Sequence, residues 1–295
     1  MNPSIVFRLV VIQFMVLLVG SAASGADDNK ENQFEINTVL MESTIKIEGV
    51  GSSGTAFLVG RPFLRGTSNK SRFTLVTAAH VLDDIEGEVA TLHLRQKAED
   101  GRWTRIPTTV KIRNGKTPLY VRHKDADVAA MYVSLPLNMI TGGILGTQLL
   151  ADDEALRKFA IHPGDNIFAL GFPLGLEANE AGFPVLRSGR IASYPLLPTS
   201  ETKTFLFDFR VFKGNSGGPV YFSDSNRFYD GSPHLGTIQF IVGLVSQETV
   251  VTEKIKGLYA VREETYQLGL AEVVHASLIK QTIDLLPPPT EDEEK

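Results

Sequence analysis

The stretch Gly214-Asn215-Ser216-Gly217-Gly218-Pro219 is the most informative local sequence in this chain of 295 residues. Glycine tolerates positive φ, so the stretch can be an ordinary tight turn. It can also hold a nucleophile, because small neighbours let a carbonyl group approach the Ser216 hydroxyl and a tight bend turns backbone N–H groups toward a forming oxyanion. The six residues alone leave both interpretations open.

The same stretch matches the G-x-S-x-G elbow of α/β-hydrolases, which leads from a strand into a helix and precedes an acid and then a histidine. Here Pro219-Val220-Tyr221-Phe222 follows, and this sequence is typical of a strand. Asp230 with His234 or His275 would be the downstream partners, but their surroundings are not typical of a catalytic site. An esterase of the elbow type is therefore disfavoured.

A serine nucleophile needs a base, which is usually histidine. Among the six histidines, His80 has the most suggestive setting, because the strand-like run Leu75-Val76-Thr77 leads into two alanines directly before it. This arrangement predicts an imidazole at the end of a strand with open space beside it. The remaining histidines lie in polar segments, before a Pro-Gly turn or in a predicted helix.

The base in turn needs a carboxylate that fixes its tautomer. Asp127 opens the apolar run 128–133, so its side chain is expected at the edge of the core, although a simple turn cap would look the same. Asp125 is a competitor, but it follows Lys124 in a charged stretch and is expected to be solvated. Asp127 is the favoured candidate.

The chain is predicted to be mostly β. Short runs of apolar and β-branched residues alternate with Gly, Pro, Asn and Asp, a pattern that favours a sandwich or barrel. The predicted strands cover residues 44–47, 55–59, 73–77, 89–94, 128–133, 166–170, 204–209, 219–222, 237–245 and 258–261.

Two helices are predicted. The first covers 152–159, with Asp152 or Asp153 as its cap. The second follows the spacing of Ala276, Ile279, Ile283 and Leu286 and ends at three prolines. Residues 136–147 lack strong periodicity and are a candidate connector between two halves.

Composition and charge exclude several classes of protein. The chain is 43% hydrophobic and has no cysteine, which excludes a disulfide-stapled miniprotein, a Cys-ligated zinc module and a cysteine nucleophile. Residues 33–290 carry 26 basic and 27 acidic side chains, with no basic run, so nucleic acid is not an expected partner. No HExxH motif, paired histidines at helical spacing or glycine-rich phosphate loop occurs, so neither a metal nor a cofactor is expected.

The N-terminus has the pattern of a secretory signal. Arg8 precedes an apolar run at 9–19, small residues fill 20–26, and Asp27 begins the charged sequence. Cleavage after Ala26 or Ala23 fits this pattern. The run is shorter than the roughly 20 residues of a membrane span, so no stable insertion is expected after cleavage. We therefore expect an exported protein, periplasmic or secreted, with a signal peptide at 1–26, a polar leader at 27–36 and an acidic tail at 287–295.

Taken together, these segments resemble a trypsin-like serine peptidase of the chymotrypsin clan, in its HtrA-like branch. His80, Asp127 and Ser216 follow the order of that clan, and the resemblance covers roughly residues 42–285. Several segments carry it beside the three residues: Ser53-Gly54-Thr55-Ala56-Phe57-Leu58-Val59, Asp127-Val128-Ala129, Gly171-Phe172-Pro173-Leu174-Gly175, Ser188-Gly189-Arg190-Ile191-Ala192-Ser193 and Gly243-Leu244-Val245-Ser246.

The resemblance implies a fold: two six-stranded antiparallel β-barrels of chymotrypsin type, at 37–146 and 147–286, with a C-terminal helix. It also implies roles, with Ser216 as nucleophile, His80 as general base and then acid, and Asp127 as the orienting carboxylate. The N–H groups of Gly214 and Ser216 would form the oxyanion hole. Ser246 would hydrogen-bond near Asp127 and present its carbonyl to a polypeptide substrate. Asp208 resembles an acid found in HtrA-like chains and is expected to have no catalytic part.

The sequence departs from the family pattern in three ways. Asn215 replaces the aspartate that pairs with a freed N-terminus in trypsin-type zymogens, so that switch is not expected. The sequence after the peptidase region is short, so the PDZ domain that HtrA proteins usually carry is not expected. Arg210 stands where the base of the primary specificity pocket is expected: pointing inward, it would favour acidic substrate residues. If Val211 lines a small apolar pocket instead, Arg210 faces solvent.

The predicted function is thus an exported serine endopeptidase that acts through an acyl-enzyme intermediate. The alternative is a catalytically silent trypsin-like domain that binds peptides or proteins, because a fold alone does not establish activity. The sequence does not indicate whether the protein is a monomer or an oligomer.

Overall fold

A computed structural model describes residues 35–65, 68–135, 143–256 and 261–289. The predicted signal peptide lies outside the described residues, as do 27–34 of the predicted leader, 136–142 of the predicted connector and 290–295 of the predicted tail. The described part of the chain folds into two β-rich halves, and both contribute to the candidate site.

The first half contains one large sheet. Its strands run in the order β5-β4-β1-β2-β3-β9-β8, β10 pairs in parallel with β2, and β6 pairs with β7 separately. The elements are α1 (Ile36–Ser43), β1 (Thr44–Val50), β2 (Ser52–Arg65), β3 (Ser68–Thr77), α2 (Ala79–Asp83), β4 (Glu86–Lys97), β5 (Trp103–Lys111), β6 (Arg113–Asn114), β7 (Thr117–Pro118), β8 (Val121–Arg122), β9 (Ala129–Tyr132) and β10 (Leu145–Gly146).

The second half contains a closed barrel. Its strands follow the order β11-β12-β13-β16-β15-β14, and 3-10 turns occur at Thr147–Leu149 and Pro173–Gly175. The elements are α3 (Asp153–Lys158), β11 (Asn166–Gly171), β12 (Val185–Ile191), β13 (Thr204–Asp208), β14 (Pro219–Tyr229), β15 (Ser232–Lys256), β16 (Val261–His275) and α4 (Ala276–Asp284).

The predicted β class and the two-part arrangement of chymotrypsin type are confirmed, and the second half has the predicted six barrel strands. The first half differs in detail, because its described strands form an eight-stranded sheet rather than six strands, and one pairing is parallel. The extra strands, β8 and β10, have two residues each. Such short pairings come from loop segments that carry no alternating pattern.

Alternating burial explains the strands that build the cores. Ile45 and Ile47 of β1 point into the first core, while Phe205 and Phe207 of β13 point into the second. This is the period of two that a half-buried strand requires.

Both predicted helices are present. Asp152 caps α3 by accepting a hydrogen bond from the Ala155 N–H at 3.0 Å. On α4, Ala276, Ile279 and Ile283 are buried at the spacing that predicted the helix. Helix α1 was not predicted; it begins at Ile36, the last residue of the predicted leader, which is fully buried.

The C-terminal end of α4 ties the second half to the first. Arg61 of β2 donates from Nη1 to the carbonyl oxygens of Leu286 (3.0 Å) and Pro287 (3.2 Å), and to the Tyr132 hydroxyl at 2.8 Å. Tyr132 itself donates to the Pro287 carbonyl at 2.6 Å. The two halves are therefore joined by directional polar contacts as well as by packing.

Candidate active site

His80 is positioned by the junction between a strand and a short helix. Strand β3 ends at Thr77, Ala78 caps α2, and His80 is the second residue of that helix. Its backbone N–H donates to Asp127 Oδ1 at 3.0 Å, and its Nδ1 lies 2.7 Å from Asp127 Oδ2. The imidazole side chain is 42% exposed. One ring nitrogen is thus held by Asp127, and the other is free for chemistry.

Asp127 lies just before β9 and accepts several hydrogen bonds. In addition to His80, the Ser246 hydroxyl donates to its Oδ2 at 2.7 Å. Burial alone would raise the pKa of Asp127, but the hydrogen bonds from His80 and Ser246 outweigh that effect and lower the pKa to about 2. Asp127 is therefore a carboxylate at any ordinary pH.

The same contact acts on the imidazole. The hydrogen bond to Asp127 raises the pKa of His80, partial burial opposes that change, and the charges of Asp127, Asp84 and Asp83 add to it. A neighbouring carboxylate stabilises the protonated ring, as an imidazole that receives a proton during a reaction requires.

The Ser216 turn is docked between the two halves. Thr55 of β2 donates its backbone N–H to the Ser216 carbonyl at 2.9 Å, and the Gly217 N–H donates to the Val245 carbonyl at 2.7 Å. Val245 directly precedes Ser246, which contacts Asp127. The Ser216 turn is therefore hydrogen-bonded to β2 of the first half and to β15, the strand whose Ser246 contacts Asp127.

Gly217 brings the turn against the segment that carries His80. A Cβ added to Gly217 would lie 2.2 Å from the Thr77 hydroxyl oxygen and 2.9 Å from the Ala78 nitrogen. Only glycine permits this approach, and φ of +86° also favours it. The half-buried Ser216 is thus held next to the strand end that supplies His80, although within the described residues its hydroxyl makes no hydrogen bond to the imidazole.

Two backbone N–H groups beside Ser216 are free in the described part of the chain: those of Gly214 and Ser216 itself donate to no described acceptor. The flanking N–H groups are used, since Asn215 donates to Phe212 and Gly218 donates to Asn215, each at 3.0 Å. The arrangement leaves two donors available at one tight turn, as an oxyanion site requires.

Thr55 is a site residue whose role the sequence did not reveal. Its hydroxyl donates to the Gly214 carbonyl at 2.6 Å and accepts from the Phe172 N–H at 3.3 Å. The signal available in the sequence is a threonine that begins an apolar run. The structure buries it fully, and a buried hydroxyl needs hydrogen-bond partners.

Arg210 and Val211 are the two residues that the sequence placed near the primary specificity pocket. The Arg210 side chain is exposed and donates from Nη2 to Gln267 Oε1 at 2.9 Å, with the guanidinium 5.1 Å from the centre of the Phe212 ring. Val211 is instead buried with the second core. Arg210 therefore faces solvent.

The remaining acids fall outside the hydrogen-bonded group. Asp125 is exposed and pairs with Lys203 at 3.3 Å and Lys124 at 3.8 Å, while Asp208 is exposed at the end of β13.

A cavity of about 500 Å³ adjoins the imidazole. It is lined by His80, Asp84, Asp125, Ala126, Asp127, Thr204, Ser246, Gln247, Glu272 and Val274.

The downstream histidines of the elbow hypothesis have other partners. His234 stacks on Tyr229 with ring centres 3.7 Å apart and hydrogen-bonds with Ser232. His275 is buried against Phe205, and neither of its ring nitrogens has a partner among the described residues. Neither histidine is arranged as a base for Ser216.

In the residues that the structure covers, no group of three His, Asp or Glu side chains is placed to hold a metal ion. Among the helices of that same part, none is long and apolar enough to cross a membrane.

The family described as "Trypsin-like peptidase domain" matches residues 54–228, more than half of the chain. No curated protein matches this chain. A similar solved structure is an inactive serine-to-alanine mutant of Rv3671c from M. tuberculosis H37Rv, with 15% identity, a TM-score of 0.42 and coverage of 91% of this chain and 99% of that chain. Another inactive form of the Rv3671c protease has 16% identity, a TM-score of 0.41 and coverage of 91% and 100%.

Proposed function

Since this chain belongs to the trypsin-like peptidase family and is a serine-type peptidase, we propose that it is an endopeptidase that uses Ser216, His80 and Asp127. Ser216 attacks the carbonyl carbon of a peptide bond, and the free Nε2 of His80 takes the hydroxyl proton. The protonated His80 then gives that proton to the leaving amine. Water releases the acyl group from Ser216 by the same steps in reverse.

The observation that carries the proposal is the 2.7 Å contact between His80 Nδ1 and Asp127 Oδ2, beside the turn of Ser216. Asp127 holds the ring so that Nε2 is the nitrogen without a proton, and its negative charge stabilises the imidazolium that forms. The hydroxyl of Ser246 and the backbone N–H of His80 keep the carboxylate in place.

The negative oxygen of the tetrahedral intermediate would be bound by the N–H groups of Gly214 and Ser216. Both are free donors in the described residues, which supports this role. We also propose that the exposed position of Arg210 keeps its positive charge out of the primary pocket, so that small apolar substrate residues are preferred over acidic ones.

A silent, peptide-binding domain is the second candidate, and one observation favours it: the hydroxyl of Ser216 is not hydrogen-bonded to His80. That observation is compatible with catalysis as well, because such hydrogen bonds are often long without substrate and tighten when it binds.

Export and the division of the chain complete the proposal. The sequence at 1–26 supports a cleaved signal peptide and a periplasmic or secreted enzyme. The described strands support units at 37–146 and 147–286, because β1 to β10 fall in the first range and the barrel strands in the second.

Labelling with a fluorophosphonate probe tests the function. We expect the wild-type protein without residues 1–26 to be labelled covalently, and Ser216→Ala not to be labelled. His80→Ala should label far more slowly, because the hydroxyl loses its base. A folded wild type that resists the probe would favour the silent domain. A peptide library would then test the pocket, and a preference for Asp or Glu beside the cleaved bond would contradict the outward Arg210.

A further inference from the structure

A loop of the second half lies across the first half close to the candidate site. We call residues 176–183 the strap; they follow the 3-10 turn Pro173–Gly175 and precede β12. Glu177 of the strap meets Arg105 of β5, whose Nη1 lies 2.6 and 2.7 Å from the two carboxylate oxygens. This ion pair joins the two halves.

The other end of the strap is held by Arg95 of β4. Arg95 Nη1 donates to the Gly182 carbonyl at 2.7 Å, and the guanidinium lies 4.6 Å from the centre of the Phe183 ring. Phe183 also meets the edge of Trp103, with ring centres 5.2 Å apart. Polar and aromatic contacts thus fix both ends of the strap to the β4–β5 hairpin.

Arg95 is a rigid anchor because it is 2% exposed and both of its terminal nitrogens donate hydrogen bonds, while its Nε has no partner among the described residues. Its Nη2 donates to the carbonyl oxygens of Glu42 at 2.9 Å and Thr44 at 2.5 Å. Burial lowers the pKa of Arg95 to about 10, against the opposing charges of Glu42 and Glu177, so the side chain stays charged at neutral pH. A buried charge with this many partners has little freedom to move.

The turn that precedes the strap reaches the Ser216 turn directly. The Leu174 N–H donates to the Lys213 carbonyl at 2.6 Å, and Leu174 has φ of +54°, a conformation that non-glycine residues seldom adopt. A Cβ added to Gly214 would lie 2.2 Å from the Phe172 carbonyl oxygen. The backbones of the two turns are therefore in close contact.

This contact fixes the direction of one N–H group. The Lys213 carbonyl and the Gly214 N–H belong to the same planar trans peptide, so they point in opposite directions. Because Leu174 binds the carbonyl from one side, the N–H of Gly214 is directed to the other side. If Leu174 moved away, the peptide could rotate and the donor would be lost from the site.

We infer that the strap is the device by which β4 and β5 hold the Gly214 N–H in position for the oxyanion, with Arg105, Glu177 and Arg95 as positioning residues. This inference rests on the proposed function. None of the three residues needs to touch substrate. They act through the strap on Leu174, and through Leu174 on the peptide between Lys213 and Gly214.

The test uses the ion pair between the exposed Arg105 and the half-buried Glu177, because removing the fully buried Arg95 could unfold the protein. We would measure kcat, KM and inhibition by a peptide aldehyde for Glu177→Ala, Arg105→Ala and the charge exchange Arg105→Glu with Glu177→Arg. The aldehyde forms a hemiacetal with Ser216 and so reports on the oxyanion donors. Asp100→Ala is the matched control, since Asp100 pairs with Arg102 on the same hairpin without touching the strap.

Each single variant should lower kcat about 10-fold, less than the loss of a whole oxyanion donor, and weaken aldehyde inhibition by a similar factor. KM should change less than twofold, the charge exchange should recover most of the loss, and Asp100→Ala should match wild type. If the fluorophosphonate labels the wild type but the single variants keep the wild-type kcat, or change only in KM, the role of the strap is overturned and the proposed function is not. A wild type that is never labelled would overturn the proposed function and this inference with it.

Discussion

At the scale of single residues, the site depends on one carboxylate with several partners. Asp127 accepts hydrogen bonds from the backbone and ring of His80 and from the hydroxyl of Ser246. These contacts keep Asp127 ionised and raise the pKa of His80. The protonation state of the imidazole should therefore control the rate between weakly acidic and neutral pH.

The pH profile is the first prediction. Because the neutral ring is the proposed base and the pKa of His80 is raised, kcat/KM should rise with pH through an apparent pKa above 6.5. Asp127→Asn removes the main cause of that increase, so its rising limb should lie at lower pH and its plateau should be about 10⁴-fold lower. Steady-state kinetics between pH 5 and 9 would measure both. A limb at the same pH in wild type and variant would contradict the role of Asp127.

A second prediction concerns Gly214. Gly214→Ala places a Cβ 2.2 Å from the Phe172 carbonyl oxygen at a residue with φ of +98°, so the peptide that carries the proposed donor must shift. We expect labelling by fluorophosphonate to slow at least about 100-fold. Gly231→Ala is the matched control, because it has φ of +72° but nothing within 4 Å. It should cost about 1 kcal/mol of stability and leave labelling unchanged.

How far the sequence predicts the site is also a matter of single residues. His80, Asp127 and Ser216 could be chosen because each stands in a distinctive local sequence, and the structure brings the segments that carry them together. Thr55 could not be given its role, since its partner Gly214 is 159 residues away and only the fold joins them. The direction of the Arg210 side chain could not be predicted either, since its hydrogen-bond partner Gln267 is 57 residues away.

At the scale of elements, several strands with one buried face were predictable from their apolar runs, whereas β16 was missed although its Ala271 and Val273 are buried. The strands β3 and β11 contain the apolar runs that predicted them, and β13 contains all but the last residue of the run 204–209. Strand β5 was missed because its side chains are exposed or half-buried throughout, so no apolar run marks it. The five-residue helix α2 was missed because it is too short to show a helical period.

The junction of β16 and α4 contains an unusual buried group and gives the third prediction. Burial lowers the pKa of His275 to about 4, slightly opposed by Asp153, and its nitrogens have no partner among the described residues. The folded pKa lies below the unfolded value, so this contribution to stability is present above pH 6.5 and is lost as pH falls toward 4.

His275→Phe should remove that loss, because a phenyl ring fills the site beside Phe205 without taking up a proton. Urea unfolding at pH 7 and pH 4.5 would measure the free energy of unfolding of both proteins. We expect the wild type to lose up to about 3 kcal/mol more than the variant between these values. Equal losses would mean that His275 is not the group responsible.

At the scale of the whole molecule, the two halves are joined at the site, by the strap and by the end of α4. The last of these contacts gives the fourth prediction. Arg61→Ala removes hydrogen bonds to Tyr132, Leu286 and Pro287, so the free energy of unfolding should fall by about 1–3 kcal/mol. Arg102→Ala, whose side chain is 85% exposed, should have almost no effect. Equal stability of the two variants in urea would contradict a structural role for this contact.

The division of the proposed catalytic groups between the two halves has a consequence for biosynthesis. A ribosome releases the N-terminal strands first, so a growing chain holds the imidazole and its carboxylate well before the hydroxyl at position 216 has even been translated. Under the proposed function, hydrolysis can therefore begin only once the later barrel has been translated and has closed.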